Sequence, residues 1–305
     1  MSPADKDTIN EIFPDPLTAQ QREVFERTLE YYDELSDKFA KKDLRFFAMK
    51  TFRSCPYVDT DIDLVLVDRS RRREYIEVLK ELGFTNIWNI SILREPRKRF
   101  FVKIADNGQI RMPIVHVHFT VSWNGIDCLD AYDVWRRLRS IKINGKDIRV
   151  PSVEDELLIT AAHTMHENTY ITMGELLHIR NLLSENKNID IGHMIAVCKR
   201  YNWVLAFKNY VSYAEASYFS ITKAALFSPG LIEALDISGD SKIRVDSGAP
   251  PFVLPGRILV PGYISKTSKD LIALRWGNIP RELLTFGLVI WLFRKKKLTK
   301  FRKGQ

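Results

Sequence analysis

The sequence predicts an α+β protein: a small mixed β-sheet domain followed by a helical second domain. Three observations lead there. Alternating, β-branched and aromatic stretches fall within residues 44–150. Asn144-Gly145 at the centre of 141–150 is a hairpin turn signal. After Pro151 the apolar residues recur at helical spacing instead. These shifts divide the chain into an N-terminal helical extension over 1–43, the sheet domain over 44–150 and a helical domain over 151–235. Residues 236–305 form an extended connection and C-terminal helices with a basic tail.

In order, 17–42 is predicted helical, with Thr18 as its cap and Val24, Leu29, Tyr32, Leu35 and Phe39 as its apolar stripe. Residues 44–52 read as a strand, and a short connection leads to a second strand that starts with acids. A helix over 73–82 ends at Gly83. Residues 85–93 and 99–104 read as a strand pair, 113–121 as a strong strand and 141–150 as a hairpin. Helical periodicity marks 153–167, 171–183, 192–198 and 204–225. The Pro- and Gly-rich stretch 238–265 reads as a surface connection with β-like pieces at 242–245 and 252–260. Two helices, 268–276 and 280–297, complete the reading.

With 45% apolar and 11% aromatic residues, the 305-residue chain can build a core. Cys55, Cys128 and Cys198 are scattered, which excludes a disulfide framework or a zinc ribbon and points to a reducing, cytoplasmic setting. Residues 1–13 are polar, unlike a signal peptide. The longest apolar run, 283–293, is too short to span a bilayer. Net charge is +8, and Arg294, Lys295, Lys296, Lys297, Lys300, Arg302 and Lys303 supply seven of those charges, so the rest is near neutral. Such a tail suits phosphates of RNA or an anionic membrane. The smaller basic clusters at 69–73 and 94–99 read as solvated faces.

The most informative stretch holds Asp59, Asp61 and Asp63, two residues apart, ahead of the apolar run 64–67. Alternation in a strand puts all three carboxylates on one face, where they repel unless a cation lies between them. A divalent ion, Mg²⁺ or Mn²⁺, is one reading and a solvated acidic strand entrance is the other. His116 and His118 share one face of the 113–121 strand, opposite Val115, Val117 and Phe119. His163 and His166 are helical neighbours, and no Cys or carboxylate spacing makes a zinc site of them with His178. Trp123, Trp135 and Trp203 read as core.

Five pieces in order carry a resemblance: Lys50-Thr51 after Met49, Asp61-Ile62-Asp63, Val115-His116-Val117-His118, Val150-Pro151-Ser152-Val153-Glu154-Asp155, and His163 with His166. Over about residues 44–185 the chain resembles the polymerase-β-like nucleotidyltransferase superfamily, and within it a group of uncharacterised prokaryotic nucleotidyltransferases. The resemblance implies transfer of a nucleoside monophosphate from an NTP to a hydroxyl acceptor, with two divalent metals on Asp61 and Asp63. The acceptor (protein, RNA or small molecule) stays open. Nucleotide binding then falls to Lys50, Thr51 and Arg53, where the superfamily carries Gly-Ser.

The third superfamily acid is replaced here by His116. Three readings stand: an active enzyme with His116 as base or altered metal ligand, one using Asp59 instead, or a domain that binds nucleotide without catalysis, attached to RNA or membrane by its tail. An imidazole is a poor Mg²⁺ ligand, a better Mn²⁺ ligand and a competent base near neutral pH. A D-x-D glycosyltransferase is a weaker rival, since only about 60 residues precede the motif.

Overall fold

The computed structural model describes residues 18–52, 60–87, 97–123, 126–186, 188–237, 252–254, 259–262 and 264–265. Arg53, Asp59, the 268–276 and 280–297 helices and the basic tail lie outside them.

Helix α1, Ala19–Lys41, starts at a capping box in which Thr18 and Gln21 satisfy each other's backbone N–H. Its stripe Leu29, Tyr32, Leu35 and Phe39 is buried. Strand β1, Phe46–Met49, is shorter than its predicted span, and β2 is Asp61–Leu66. A 3₁₀ turn leads to α2, Arg72–Glu81. Strands β3, Thr85–Ile87, β4, Lys98–Ile104, and β5, Ile110–His118, complete a five-stranded sheet of order β1-β2-β5-β4-β3. Only β2 and β5 run parallel, so the sheet is mixed.

Strand alternation sorts side chains between two cores. Ile62, Leu64 and Leu66 of β2, with Val115 and Val117 of β5, pack with the α1 and α2 residues. Phe47, Met49 and Val65, on the opposite sheet face, pack with the helical part. Asp61 and Asp63 share the face of Val65, and His116 and His118 lie opposite Val115 and Val117. The whole polar constellation therefore turns towards the helices.

The predicted 113–121 strand divides. After β5, the short strand β6, Val121–Trp123, pairs with β7, Ile126–Leu129, and Asp130 caps α3, Ala131–Arg136. The predicted hairpin is β8, Arg139–Ile143, and β9, Lys146–Val150, with Asn144 and Gly145 both at positive φ (49° and 79°).

Ser152 caps α4, Val153–His163, whose buried residues run nearly all round it. The helical hydrogen bonding then widens into a π-turn, Thr164–Asn168, stopped by Thr169 in the left-handed region at φ 59°. Strand β10, Tyr170–Ile171, occupies the start of the predicted 171–183 helix and pairs with β11, Phe252–Val253. Helices α5, Met173–Glu185, α6, Ile191–Arg200, α7, Val204–Thr222, and α8, Pro229–Ala234, complete the helical part. Trp123 and Trp203 are core residues, as predicted.

Glu156 of α4 binds Arg139 at 2.6 Å and His178 of α5 at 3.0 Å, linking hairpin to helices. Burial pushes its carboxyl up, but His178 and Arg139 outweigh that and hold it below the usual range. Glu156→Ala is expected to cost about 2–4 kcal/mol in urea denaturation, because it strands a buried imidazole and a partly exposed guanidinium. A loss below about 1 kcal/mol rules out this role.

Candidate metal and nucleotide site

The parallel pairing of β2 and β5 sets Asp63 beside His116 in register. His116 Nδ1 lies 2.8 Å from Asp61 Oδ2 and 3.3 Å from Asp63 Oδ1. One ligand atom from each of these three residues falls within 4.8 Å of the others; among the described residues no other His/Cys/Asp/Glu group is so disposed. The antiparallel pairing of β4 with β5 adds Lys98 opposite His118 and Phe100 opposite His116, whose rings meet edge to face at 4.8 Å.

The two acids differ. Asp61 keeps 24% of its side chain exposed, whereas Asp63 keeps 3%. Asp63 Oδ1 takes His118 Nε2 at 2.7 Å and has Lys98 Nζ at 3.8 Å, while Oδ2 lies 3.1 Å from Lys50 Nζ. Its backbone N–H donates to Thr51 Oγ1 at 2.9 Å, so the buried Thr51 hydroxyl fixes the start of β2. Lys50 itself adopts φ 61°, the left-handed region.

Burial pushes the Asp63 carboxyl up. Lys50, then Lys98, His116 and His118, reverse that and hold it well below the ordinary carboxylate range. Burial pulls His116 down, but its contacts with Asp61 and Asp63 leave it raised. Burial and the charge of Lys98 push His118 down to about 4, against the pull of Asp63. His118 is thus neutral near pH 7, and because ionised Asp63 only accepts, Nε2 carries its proton.

This sets a pH dependence for the metal-free protein. Between about pH 6.5, where an unfolded histidine titrates, and about pH 4, the unfolded chain binds the proton that folded His118 refuses. Stability therefore falls on acidification through that window, by about 3 kcal/mol from this group. His116 acts oppositely, adding stability below pH 6.5 that is lost as pH rises through its raised value. Urea midpoints of wild type should fall more steeply between pH 6.5 and 4 than those of His118→Gln. Parallel curves would contradict the assignment.

Above the sheet lies a cavity of about 300 Å³, lined by Lys50, Asp61, Lys98, His116, His163, Glu167, Asn168, Tyr170, Thr172, Gly174 and Glu175. The π-turn carries Glu167 to this wall, where its Oε2 is 3.4 Å from His163 Nε2. Burial pushes Glu167 up, but His163, with Lys50 and Lys98, holds it below the usual range. Glu175 is anchored by Thr164 Oγ1 at 2.7 Å and Tyr210 OH at 2.8 Å. Larger concavities of about 470 and 640 Å³ lie elsewhere and bring no carboxylates together, so chemistry rather than size picks the site.

Asp61, Asp63, His116, Lys50 and Thr51 thus come together, while Arg53 and Asp59 lie outside the described residues. His118, read only as sharing a strand face with His116, is buried and holds Asp63. Lys98 belongs to the 94–99 cluster read as solvated, yet it is buried, because its strand faces the acids. Glu167 gave no signal beyond its i+4 spacing from His163.

A family model described as an uncharacterised nucleotidyltransferase matches residues 59–218, more than half of the chain. No curated protein matches. Among solved structures, the chain is similar to an antigenic nucleotidyltransferase-like protein from Paracoccidioides brasiliensis. That likeness has 13% identity over 81% of this chain and 100% of the other, with a TM-score of 0.36. Among the described residues no helix is long and apolar enough to cross a membrane.

Proposed function

The chain belongs to the uncharacterised nucleotidyltransferase family, and from that premise we propose that it transfers a nucleoside monophosphate from an NTP to a hydroxyl acceptor at Asp61, Asp63 and His116. The convergence of these three residues at the wall of a cavity carries the reading. Two carboxylates and an imidazole fit a divalent cation, and the nitrogen donor favours Mn²⁺ over Mg²⁺. Such an ion supplies charge neutralisation at the transferring phosphate and alignment of the attacking hydroxyl.

The chain's own residues divide the remaining work. Asp61 presents its carboxylate to the cavity. His118 and Thr51 keep Asp63 in one orientation from its side chain and its backbone. Lys98 brings an ammonium to the cavity wall, where it suits a triphosphate. Lys50, Thr51 and Arg53 stay assigned to the nucleotide side. The acceptor is a protein, an RNA or a small molecule.

A second reading is nucleotide binding without transfer, with the tail from Arg294 to Lys303 as an attachment to RNA or an anionic membrane. It is favoured by Asp63 being neutralised by protein donors. Incubation with each α-labelled NTP and Mn²⁺ or Mg²⁺, followed by separation of protein, RNA and small molecules, tests both. Label transfer that Asp61→Asn with Asp63→Asn abolishes supports the enzyme. Metal-dependent binding in calorimetry without transfer supports the binding module. Neither result in any combination sinks the site.

A further inference from the structure

Both carboxylate oxygens of Asp63 already face nitrogens of the protein. Oδ1 faces His118 Nε2 at 2.7 Å, His116 Nδ1 at 3.3 Å and Lys98 Nζ at 3.8 Å. Oδ2 is left for Lys50 Nζ at 3.1 Å. A carboxylate offers about four lone-pair sites, so Asp63 keeps room for one ion beside Asp61 and His116, while Lys50 already stands at Oδ2. A two-metal centre for phosphoryl transfer needs ions roughly 3.5–4 Å apart bridged by shared ligands. A second ion shared through Asp63 Oδ2 would meet the Lys50 ammonium, which stands 3.1 Å from that oxygen.

The backbone at Lys50 bears on the same point. Its φ of 61° is a conformation that glycine adopts freely and a lysine rarely does. Its side chain is also only 8% exposed. A residue that is strained in its backbone and buried at its charge persists when its surroundings hold it, and such residues gather at functional sites. Here Asp63 holds the ammonium. A lysine head is a compact point charge with three donors, the side-chain group that most closely stands in for a small cation.

We propose that Lys50 Nζ is a built-in cation at Asp63 that takes the place of one of two divalent ions, so that the site binds a single ion at the Asp61–Asp63–His116 cluster. This rests on the metal reading proposed above and narrows it: one exchangeable ion is expected, and the charge that a second would bring comes from the chain.

Electron paramagnetic resonance of the full chain titrated with Mn²⁺ alone tests this, because it counts bound ions and distinguishes an isolated ion from an exchange-coupled pair. The wild-type chain is expected to bind one Mn²⁺ with an uncoupled spectrum. Lys50→Gly, which suits the left-handed backbone, is expected to bind two and to show coupling. Lys50→Met removes the charge but keeps the bulk, and serves if the glycine variant does not fold, as judged by circular dichroism; it too is expected to gain an ion. A coupled pair in the wild-type chain overturns the proposal, as does a single ion in the folded variants. If wild type and variants alike bind no Mn²⁺, the metal reading falls with it, whereas failure at Lys50 alone leaves that reading standing.

Discussion

Asp63→Ala is expected to destabilise the protein by about 3–5 kcal/mol, the usual cost of removing one partner from a buried charge cluster. The cause is what remains behind. Lys50 and Lys98, with side chains 8% and 11% exposed, lose the carboxylate that offsets their burial. His118 loses the acceptor of its Nε2 proton in a position 3% exposed. Because the cost comes from stranded charge, adding Lys50→Met to Asp63→Ala is expected to restore part of the loss. Urea denaturation of the wild type, both single variants and the double variant forms the cycle. A loss under about 1 kcal/mol, or strict additivity of the two changes, would show that the ammonium and carboxylate are not coupled.

Asp61→Asn should behave in the opposite way. Asp61 is one-quarter exposed at the cavity wall, so losing its charge is expected to change stability by no more than about 1 kcal/mol. Metal-dependent transfer, however, should fall by about 10²–10³-fold, the scale for removing one electrostatic contact to a transition state. The change also removes the contact that contributes most to raising His116, so that imidazole's pKa should drop in the metal-free protein, which NMR titration reads directly. Unchanged metal dependence with an unshifted His116 would place Asp61 outside the site. Paired with Asp63→Ala, this separates an acid needed only for the proposed transfer from one that the fold also needs.

Much of the fold was legible because its signals are local. Capping at Thr18, the Asn144-Gly145 turn and the period-2 pattern of β2 each act within a few residues. The small strands β6 and β7 and the helix α3 were not read, since elements of three to six residues carry too few periodic positions to stand out. The π-turn at Thr164–Asn168 read simply as more helix, because nothing in its composition distinguishes a π from an α hydrogen-bond pattern.

The candidate site divides along the same line. By itself the sequence determined that Asp61 and Asp63 share a strand face, as do His116 and His118, because alternation is built into an extended backbone. Only the tertiary structure decided that these two faces are one face. The parallel pairing of β2 with β5 sets Asp63 opposite His116 across an interval of 53 positions, and no local pattern encodes that register. The same holds for Lys98, whose charge reads as solvated until β4 turns it towards Asp63, and for Lys50, whose left-handed backbone delivers it to the acid. Local chain geometry fixes which way a side chain points; what it meets there depends on contacts between segments far apart in sequence.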